Sequence, residues 1–279
     1  NGQRLITLNE QPLRSLKKLR TLFHSEYISA DTLHIFQKEA AFRRTDLDRF
    51  CGPFFPNYQS LHQKYEQVLR QKNKALKMDA GGEVISLLNK QLITYAQKIV
   101  SYRLEAISQV SQVVRLFFHD LDVMAYDSLE MRYVIKRLDE TVSESTYSEQ
   151  LKAQFEQDYQ KELICGYSLS GPQRDDFDVL INNKPIFDYY SRGINRIIAV
   201  LYQLAKITLL DEQFSQCGIL LLDDTLAEMD KENREKLIRF VEKRAQVIYA
   251  TTSHQDQDLF QDVEVLQIDK GKVIHGSFK

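Results

Sequence analysis

Apolar residues recur every three or four positions through the middle of the chain, which is the spacing of one helix face. The pattern covers residues 58–72 and, after a break at 79–82, residues 85–117. The second run extends over about nine turns, or roughly 50 Å of helix. A helix of this length predicts an all-α arm over residues 31–150, whose first helix we expect Asp31 to cap.

The pattern changes after residue 150. A last helical run at 151–163 gives way to strict alternation at 177–181, and residues 182–183 then form the expected turn of a hairpin. Two continuous apolar runs, 219–222 and 247–250, are typical of strands that are buried on both faces.

Helices and a further hairpin are predicted around these strands. Ser191 begins one helix, Asp230 caps another, and residues 263–274 form the hairpin. The order of strands and helices predicts an α/β fold with a parallel or mixed sheet and flanking helices. We expect residues 1–30 and 151–279 to form this α/β part, into which the arm is inserted.

Composition narrows the class of protein. The chain is 43% hydrophobic and 27% charged, which argues against disorder. We find no apolar run of about 18–20 residues that would cross a bilayer and no signal-peptide pattern. The three cysteines form no C-x-x-C pair, so neither a disulfide framework nor a zinc site is expected. We therefore expect a soluble cytoplasmic protein without a membrane partner.

A net charge of −2 means that any contact with DNA must come from local basic clusters. A solvated helix face explains such clusters equally well. The candidate DNA-binding residues are Arg14, Lys17, Lys18, Arg20, Lys64, Arg70 and Lys72.

The clearest candidate chemistry follows the apolar run at 220–222, where Asp223 and Asp224 resemble a Walker B motif. In that motif the first acid binds the Mg²⁺ that bridges ATP phosphates, and the second holds the attacking water. A buried strand that merely enters a loop gives the same pattern, so the motif alone is weak.

The neighbouring residues strengthen this interpretation. Glu228 and Asp230 lie where a D-loop follows Walker B, and His254, after the next apolar strand, lies where a switch residue would reach a γ-phosphate. Ser191 and Gly193 begin a helix at the place of an ABC signature motif, where a hydroxyl and free N–H groups form an anion site. A plain serine N-cap is the alternative.

Residues 170–176 form a further unusual run that contains Gly171, Arg174, Asp175 and Asp176. The Gly-Pro pair makes a turn. Without its neighbours, the run would be interpreted as a surface cluster of salt bridges.

Taken in order, these motifs resemble the RecF family. The matching segments are G-P-x-R-D-D at 171–176, S-x-G-x-x-R at 191–196 and L-L-L-D-D-x-L-x-E-x-D at 220–230. Residues 42–49 and 58–77 resemble the family's arginine-rich segment and arm helix. The resemblance spans nearly the whole chain.

The resemblance implies an ABC-type P-loop NTPase head, here incomplete, plus an all-α helical arm. It implies a homodimer that encloses ATP and Mg²⁺, binds double-stranded or gapped DNA, and acts with mediator proteins of the RecO and RecR type. Asp223 would bind Mg²⁺, Asp224 would orient water and Asp230 would lie across the dimer interface. The residues that would contact ATP on the opposite subunit are Ser191, Gly193, Asn195 and Arg196.

The sequence departs from the family in three places. It contains no G-x-x-x-x-G-K-S/T run, the loop that cradles phosphates. Ile194 and Asn195 stand where the family favours two glutamines, and Gln173 stands where histidine is usual. We expect a chain that lacks its first lobe: a weak ATPase if the natural protein includes the loop, and inactive as given.

Two other functions remain open at this point. The missing loop and altered signature also fit a catalytically inactive ABC-like scaffold. A transporter's nucleotide-binding subunit is less favoured because the long arm interrupts the head.

Overall fold

The structure is a computed structural model of the 279-residue chain. It describes residues 7–8, 10–12, 24–136, 144–215, 218–223, 226, 229–252, 259–260 and 263–278. The chain divides into two compact units. The first unit comprises Asn1–His34, Leu116–Ala125 and Ser191–Lys279, and the second unit comprises Ile35–Arg115 and Tyr126–Tyr190.

The elements are numbered along the described residues. The helices are α1 (Ala30–Leu33), α2 (Ala40–Phe54), α3 (Tyr58–Lys77), α4 (Gly82–Leu121), α5 (Glu144–Cys165), α6 (Ile186–Tyr189), α7 (Arg192–Phe214) and α8 (Lys231–Glu242). The strands are β1 (Thr7–Leu8), β2 (Gln11–Pro12), β3 (Ser25–Ile28), β4 (Leu129–Val134), β5 (Asp176–Ile181), β6 (Lys184–Pro185), β7 (Ile219–Asp223), β8 (Gln246–Ala250), β9 (Glu264–Asp269) and β10 (Lys272–Phe278).

The first unit contains the parallel sheet that the order of elements predicts, with strands in the order β3-β7-β8. Side chains alternate between the two faces of a strand. On one face Leu220, Leu222 and Ile28 are buried. Glu26 lies on the same face and forms an ion pair with Lys206 of helix α7, with a nitrogen–oxygen distance of 3.3 Å. Helix α7 therefore covers this face.

The opposite face of the sheet is only partly covered. The register places Tyr27, Leu221 and Ile248 side by side there. Tyr27 is 52% exposed and Ile248 is 53% exposed. The prediction that both apolar runs are buried on both faces is therefore wrong for β8 and only half right for β7.

Helix α7 corrects a second expectation. Among the described residues it is the one helix that is long and apolar enough to cross a membrane by length and composition, although no such run was expected. Of the most apolar 18-residue stretch of α7, 83% is buried inside the protein. The core helix of a globular unit has this property, and α7 packs against the sheet in that way.

The caps of the first unit follow the sequence in two places out of three. Ser191 caps α7 by accepting a hydrogen bond from Ile194 N at 3.3 Å. Asp230 caps α8. Helix α1, however, begins after Ser29, so Asp31 lies inside the helix and does not cap it. The terminal hairpin of β9 and β10 forms as predicted, with an antiparallel register.

Helix α4 confirms the predicted long helix and extends it to 40 residues, or about 60 Å. Its buried side chains follow the predicted stripe. Helix α3 likewise covers the predicted run, and the break at residues 79–82 separates the two helices.

The segment expected to be all-α also contains a strand. Leu129–Val134 forms β4 and pairs antiparallel with β5, which in turn pairs with β6. Leu129, Met131 and Tyr133 alternate as buried residues along β4. Because of this sheet, residues 126–190 group with 35–115, whereas the division drawn from the sequence begins a new part at residue 151.

Candidate functional site

Asp223 is the last residue of β7 and is exposed at the carboxyl end of the parallel sheet. Ligands of open α/β sheets bind outside this end of the strands. Tyr27, on the neighbouring strand β3, donates a hydrogen bond to Asp223 Oδ2 with an oxygen–oxygen distance of 2.5 Å. This hydrogen bond is the largest cause of a raised pKa at Tyr27.

The signature segment at the start of α7 is split between surface and interior. Ser191 is exposed and Gly193 is half-buried. Asn195 and Arg196 are 3% and 5% exposed, and the Asn195 side chain donates to Ser191 O at 2.9 Å. We expected Asn195 and Arg196 to contact ATP on another subunit. The structure corrects this expectation, because side chains this deeply buried are not accessible to a second molecule.

Asp230 acts as a helix cap in this structure. Its Oδ1 accepts from Asn233 N at 3.0 Å and its Oδ2 accepts from Asn233 Nδ2 at 2.9 Å. These hydrogen bonds, the backbone one first, lower the pKa of Asp230. The carboxylate therefore stabilises the first turn of α8.

Several predicted site residues lie outside the described residues. They are Arg14, Lys17, Lys18, Arg20, Asp224, Glu228 and His254. Among the described residues, no hydrogen bond or ion pair joins Ser191 to Asp223. Within the same residues, no group of three or more His, Cys, Asp or Glu is placed to hold a metal ion.

The basic candidates on helix α3 divide by burial. Lys64 and Arg70 are exposed, and Arg70 pairs with Glu66 at 3.5 Å. Lys72 is fully buried and forms an ion pair of 2.7 Å with Glu162. Burial lowers the pKa of Lys72, and the Glu162 carboxylate opposes that shift. Lys72 is therefore not available to DNA, and its assignment as a contact is wrong.

The run at 171–176 is an internal junction of the second unit and not a surface cluster. Arg43 on helix α2 donates two hydrogen bonds, of 2.8 and 2.6 Å, to the carboxylate of Asp176. Arg44 donates to Asp175 O at 2.7 Å, and Asp175 is 1% exposed. Gly171 has φ of +120°, a backbone conformation that favours glycine.

Arg103 stands at the centre of this junction. It is 2% exposed on helix α4, and its guanidinium donates to Asp48 Oδ1 at 2.9 Å, to Tyr133 Oη at 3.1 Å and to Pro172 O at 2.7 Å. Arg103 was not among the site residues predicted from the sequence. The available signal was a charged side chain on the apolar stripe of a long helix.

The pKa values of two carboxyl groups of the junction, Asp175 and Asp48, are shifted in opposite directions. Burial raises the pKa of Asp175 to about 7, although Arg103 and a hydrogen bond from Tyr133 act against it. At Asp48 burial also acts to raise the pKa, but Arg103, His62 and Tyr58 outweigh it and lower the pKa to about 2.

Comparison with known proteins gives a consistent answer, although no family model matches the chain. The "DNA replication and repair protein RecF" of Acaryochloris marina is 28% identical over 284 residues, covering 98% of this chain and 75% of the relative. The protein of the same name from an Exiguobacterium species is 29% identical over 273 residues, covering 95% of this chain and 73% of the relative. A solved structure of "the recombination mediator protein RecF-ATPrS in RecFOR pathway" superposes with a TM-score of 0.78 at 23% identity, covering 98% of this chain and 73% of that one.

The chain is similar to proteins named RecF over 95–98% of its length. The expected fold, an ABC-type head with a helical arm, is confirmed by the match to the solved RecF structure. The strand β4 within the arm part was not predicted from the sequence.

The RecF-like segments of the second unit have a structural explanation in this chain. The segment at 42–49 supplies Arg43, Arg44 and Asp48, which meet the run at 171–176. The arm-helix segment supplies Tyr65, whose hydroxyl donates to Gln173 Oε1, and Asn73, whose Oδ1 accepts from Ser168 N at 2.8 Å. Gln173, which stands in place of the usual histidine, therefore accepts a hydrogen bond from Tyr65 inside the second unit.

Proposed function

We propose that this chain acts in DNA replication and repair as a DNA-binding protein whose head responds to ATP. The observation that carries the proposal is similarity over 98% of the chain to a protein named for DNA replication and repair. The solved RecF structure with bound ATPrS supports ATP as the nucleotide. Gapped duplex DNA and mediator proteins of the RecO and RecR type are the partners that we propose.

The start of helix α7 would contact the γ-phosphate of an ATP held by a second copy. Ser191 is exposed, and its backbone and hydroxyl lie at the N-terminus of a helix of 23 residues. Helix N-termini favour anions because their N–H groups point outward and the helix dipole is positive there. Gly193 leaves room for a close approach, since among the described residues a Cβ there would meet only the Ser191 side chain, at 3.7 Å.

The residues present fit one side of a magnesium site. Mg²⁺ keeps several waters and is usually held by one or two carboxylates together with substrate phosphates. Asp223 supplies an exposed carboxylate at the strand end, which suits that role. Bound Mg²⁺ would neutralise charge that develops on the phosphates.

The residues present do not fit the other side of an ATP site. The 279 residues contain no G-x-x-x-x-G-K-S/T run, so the backbone cradle and the phosphate-binding lysine are not among them. The chain thus contributes contacts in trans through Ser191 and one metal ligand through Asp223. We expect weak nucleotide affinity from the 279 residues by themselves.

Helix α3 is the surface that we propose for DNA. Arg70, Lys74 and Lys77 are exposed and recur at four and three residues, which places them on one side of the helix. A row of cations at this spacing suits the phosphates of a duplex backbone and gives a binding constant that falls with salt. Lys64 is exposed on the same helix.

The test of the head is retardation of a gapped duplex by the natural-length protein, with and without Mg-ATP. We expect binding that depends on ATP and is lost in Asp223→Ala and in Ser191→Arg. Binding that ignores ATP in all three proteins would support a nucleotide-independent scaffold instead.

The test of the DNA surface is charge reversal on helix α3. Arg70→Glu combined with Lys74→Glu is expected to weaken binding and to flatten the dependence of log K on log salt by about two units, roughly one for each lost phosphate contact. The matched control is Lys152→Glu with Lys161→Glu, two exposed lysines on helix α5. An equal effect of both pairs would show only a general charge effect and would remove helix α3 as the binding surface.

A further inference from the structure

The hydroxyl of Tyr27 contacts Asp223, the proposed metal ligand. Neither the sequence motifs nor the relatives' names explain this contact. Tyr27 donates to Asp223 Oδ2 at 2.5 Å across a gap of 196 residues in sequence. Tyr27 is 52% exposed. A large aromatic side chain on a half-covered sheet face is therefore held by a polar contact and not by burial.

The register of the sheet accounts for the contact. Tyr27 pairs with Leu221 on strand β7, and Asp223 follows Leu221 by two residues, so all three side chains lie on the same face. Tyr27 and Asp223 are thus diagonal neighbours on adjacent strands. Such diagonal neighbours lie within reach of a tyrosine hydroxyl, as the hydrogen bond between them shows. The contact follows from backbone pairing and does not require a flexible loop.

The contact leaves half of the carboxylate open. Tyr27 uses Oδ2, while Oδ1 of Asp223 has no hydrogen-bond partner among the described residues. Asp223 is exposed, so a cation can approach Oδ1 from solvent. Each carboxylate oxygen also accepts from more than one direction, so the tyrosine and a cation can share the group.

We propose that Tyr27 is a positioning residue that orients the Asp223 carboxylate for a divalent cation of the magnesium type. This inference rests on the proposed function, in which Asp223 is the metal ligand of the head.

The expected effect follows from how proteins hold metal ligands. Carboxylates that bind metals are usually hydrogen-bonded to a second group, and loss of that group typically weakens metal affinity by about 10–100-fold. An exposed aspartate at a strand end has free rotation about its side-chain bonds unless a partner fixes it. Tyr27 supplies that partner with a rigid ring anchored in β3. A competing tyrosine that had to leave before the metal could bind would have the opposite effect on affinity.

The test measures binding of Mn²⁺, the paramagnetic substitute for Mg²⁺, to the natural-length protein in the presence of ATP, by electron paramagnetic resonance of the protein-bound ion. Tyr27→Phe removes one hydroxyl and keeps the ring, so we expect affinity to fall by about tenfold. Asp223→Asn is expected to abolish the same binding event. Tyr189→Phe is the matched control, because Tyr189 is also an exposed tyrosine and belongs to the second unit. Its affinity should equal that of the unmodified chain.

The outcomes separate the two proposals. Loss of binding in Asp223→Asn with no change in Tyr27→Phe overturns the role of Tyr27 and keeps Asp223 as the ligand. Tighter binding in Tyr27→Phe also overturns it, because the tyrosine would then be a competitor. If Asp223→Asn binds Mn²⁺ normally, or if the unmodified chain binds none, the metal site of the proposed function fails and the role of Tyr27 fails with it. Thermal unfolding of each variant checks that the fold is intact.

Discussion

The two units of this protein stabilise themselves in different ways. The second unit buries charged side chains in ion pairs, as in Lys72 with Glu162 and Arg103 with Asp48. The first unit buries a mainly apolar sheet face under a helix, with Glu26 paired to Lys206. It leaves large side chains such as Tyr27 and Ile248 about half exposed on the other face. Parallel sheets usually have both faces covered.

This difference separates structural residues from candidates for binding. In the second unit, the family-like segments at 42–49 and 171–176 meet in internal contacts, so their side chains fix the fold. In the first unit, Ser191 and Asp223 remain exposed at a helix start and a strand end. Exposed polar groups at such ends are available to a ligand. The candidate chemistry of the protein therefore lies in the first unit.

The strongest test of the comparison is the ion pair of the second unit. Lys72→Met leaves the Glu162 carboxylate buried without its cation, which is expected to cost about 3–5 kcal/mol. The measurement is the free energy of unfolding in urea. Lys74→Met on the same helix is the control, since Lys74 is exposed and its loss should change stability by less than about 0.5 kcal/mol.

A second variant shows whether the cost comes from the unpaired charge. Glu162 Oε1 accepts from Leu169 N at 2.8 Å and from Ser168 Oγ at 3.0 Å. Glu162→Gln keeps an acceptor there but removes the charge, so adding it to Lys72→Met should recover at least half of the lost stability. A double variant as unstable as the single one would show that packing of the lysine chain, and not charge, is responsible.

The two faces of the parallel sheet give the next largest effect. Leu220 is 0% exposed and Ile248 is 53% exposed. Leu220→Ala is expected to cost about 2–5 kcal/mol because it leaves a cavity, whereas Ile248→Ala should cost less than about 1 kcal/mol. Equal losses, measured by urea unfolding of the full chain, would mean that the second face is covered after all.

These contrasts also show what the sequence can predict. Helix α4 was predictable because its apolar stripe is long, and the parallel sheet because strands alternate with helices. Lys72 and Arg103 lie at helical spacing with the buried apolar residues of their helices. Their charge suggested that they face solvent, yet this spacing indicated that they are buried. Their partners lie 90 and 55 residues away in sequence, and no local pattern identifies such distant pairs.

Strand β4 was missed for a different reason. Leu129, Met131 and Tyr133 alternate as a strand requires, but the run is only six residues long and follows a helix of 40 residues. Similarly, the exposure of Ile248 cannot be read from an apolar run, because a run of this kind shows hydrophobicity and not what covers it. The contact between Tyr27 and Asp223 depends on strand register, which becomes known only from the structure.

The pH dependence of stability is expected to reveal the buried carboxyl of the second unit. The folded pKa of Asp175, about 7, lies above its usual value near 4. Between these values the folded protein keeps a proton that the unfolded chain has released, so stability falls as pH rises, by up to about 1.4 kcal/mol per pH unit. Asp175→Asn should remove this slope between about pH 5 and about pH 7 in urea unfolding.

Asp48 should act in the opposite direction and at lower pH. Its folded pKa of about 2 lies below the usual value, so its contribution to stability is present above about pH 4 and is lost as pH falls toward about 2.

A slope that survives in Asp175→Asn near neutral pH would assign the titration to another group. Such a result would remove Asp175 as the source of the pH dependence.

The smallest effect concerns the cap of helix α8 in the first unit. Asp230 accepts two hydrogen bonds from Asn233, so Asp230→Ala should cost about 1 kcal/mol as an ordinary N-cap does. The resemblance to RecF places the same residue at a dimer interface, which predicts an additional loss of ATP-dependent association. Asp230→Ser separates the two roles, because serine caps a helix about as well as aspartate but carries no charge. Normal thermal stability with weakened association, measured by sedimentation with Mg-ATP, would assign Asp230 to the interface as well as to the cap. Normal association in that variant would leave capping as its role.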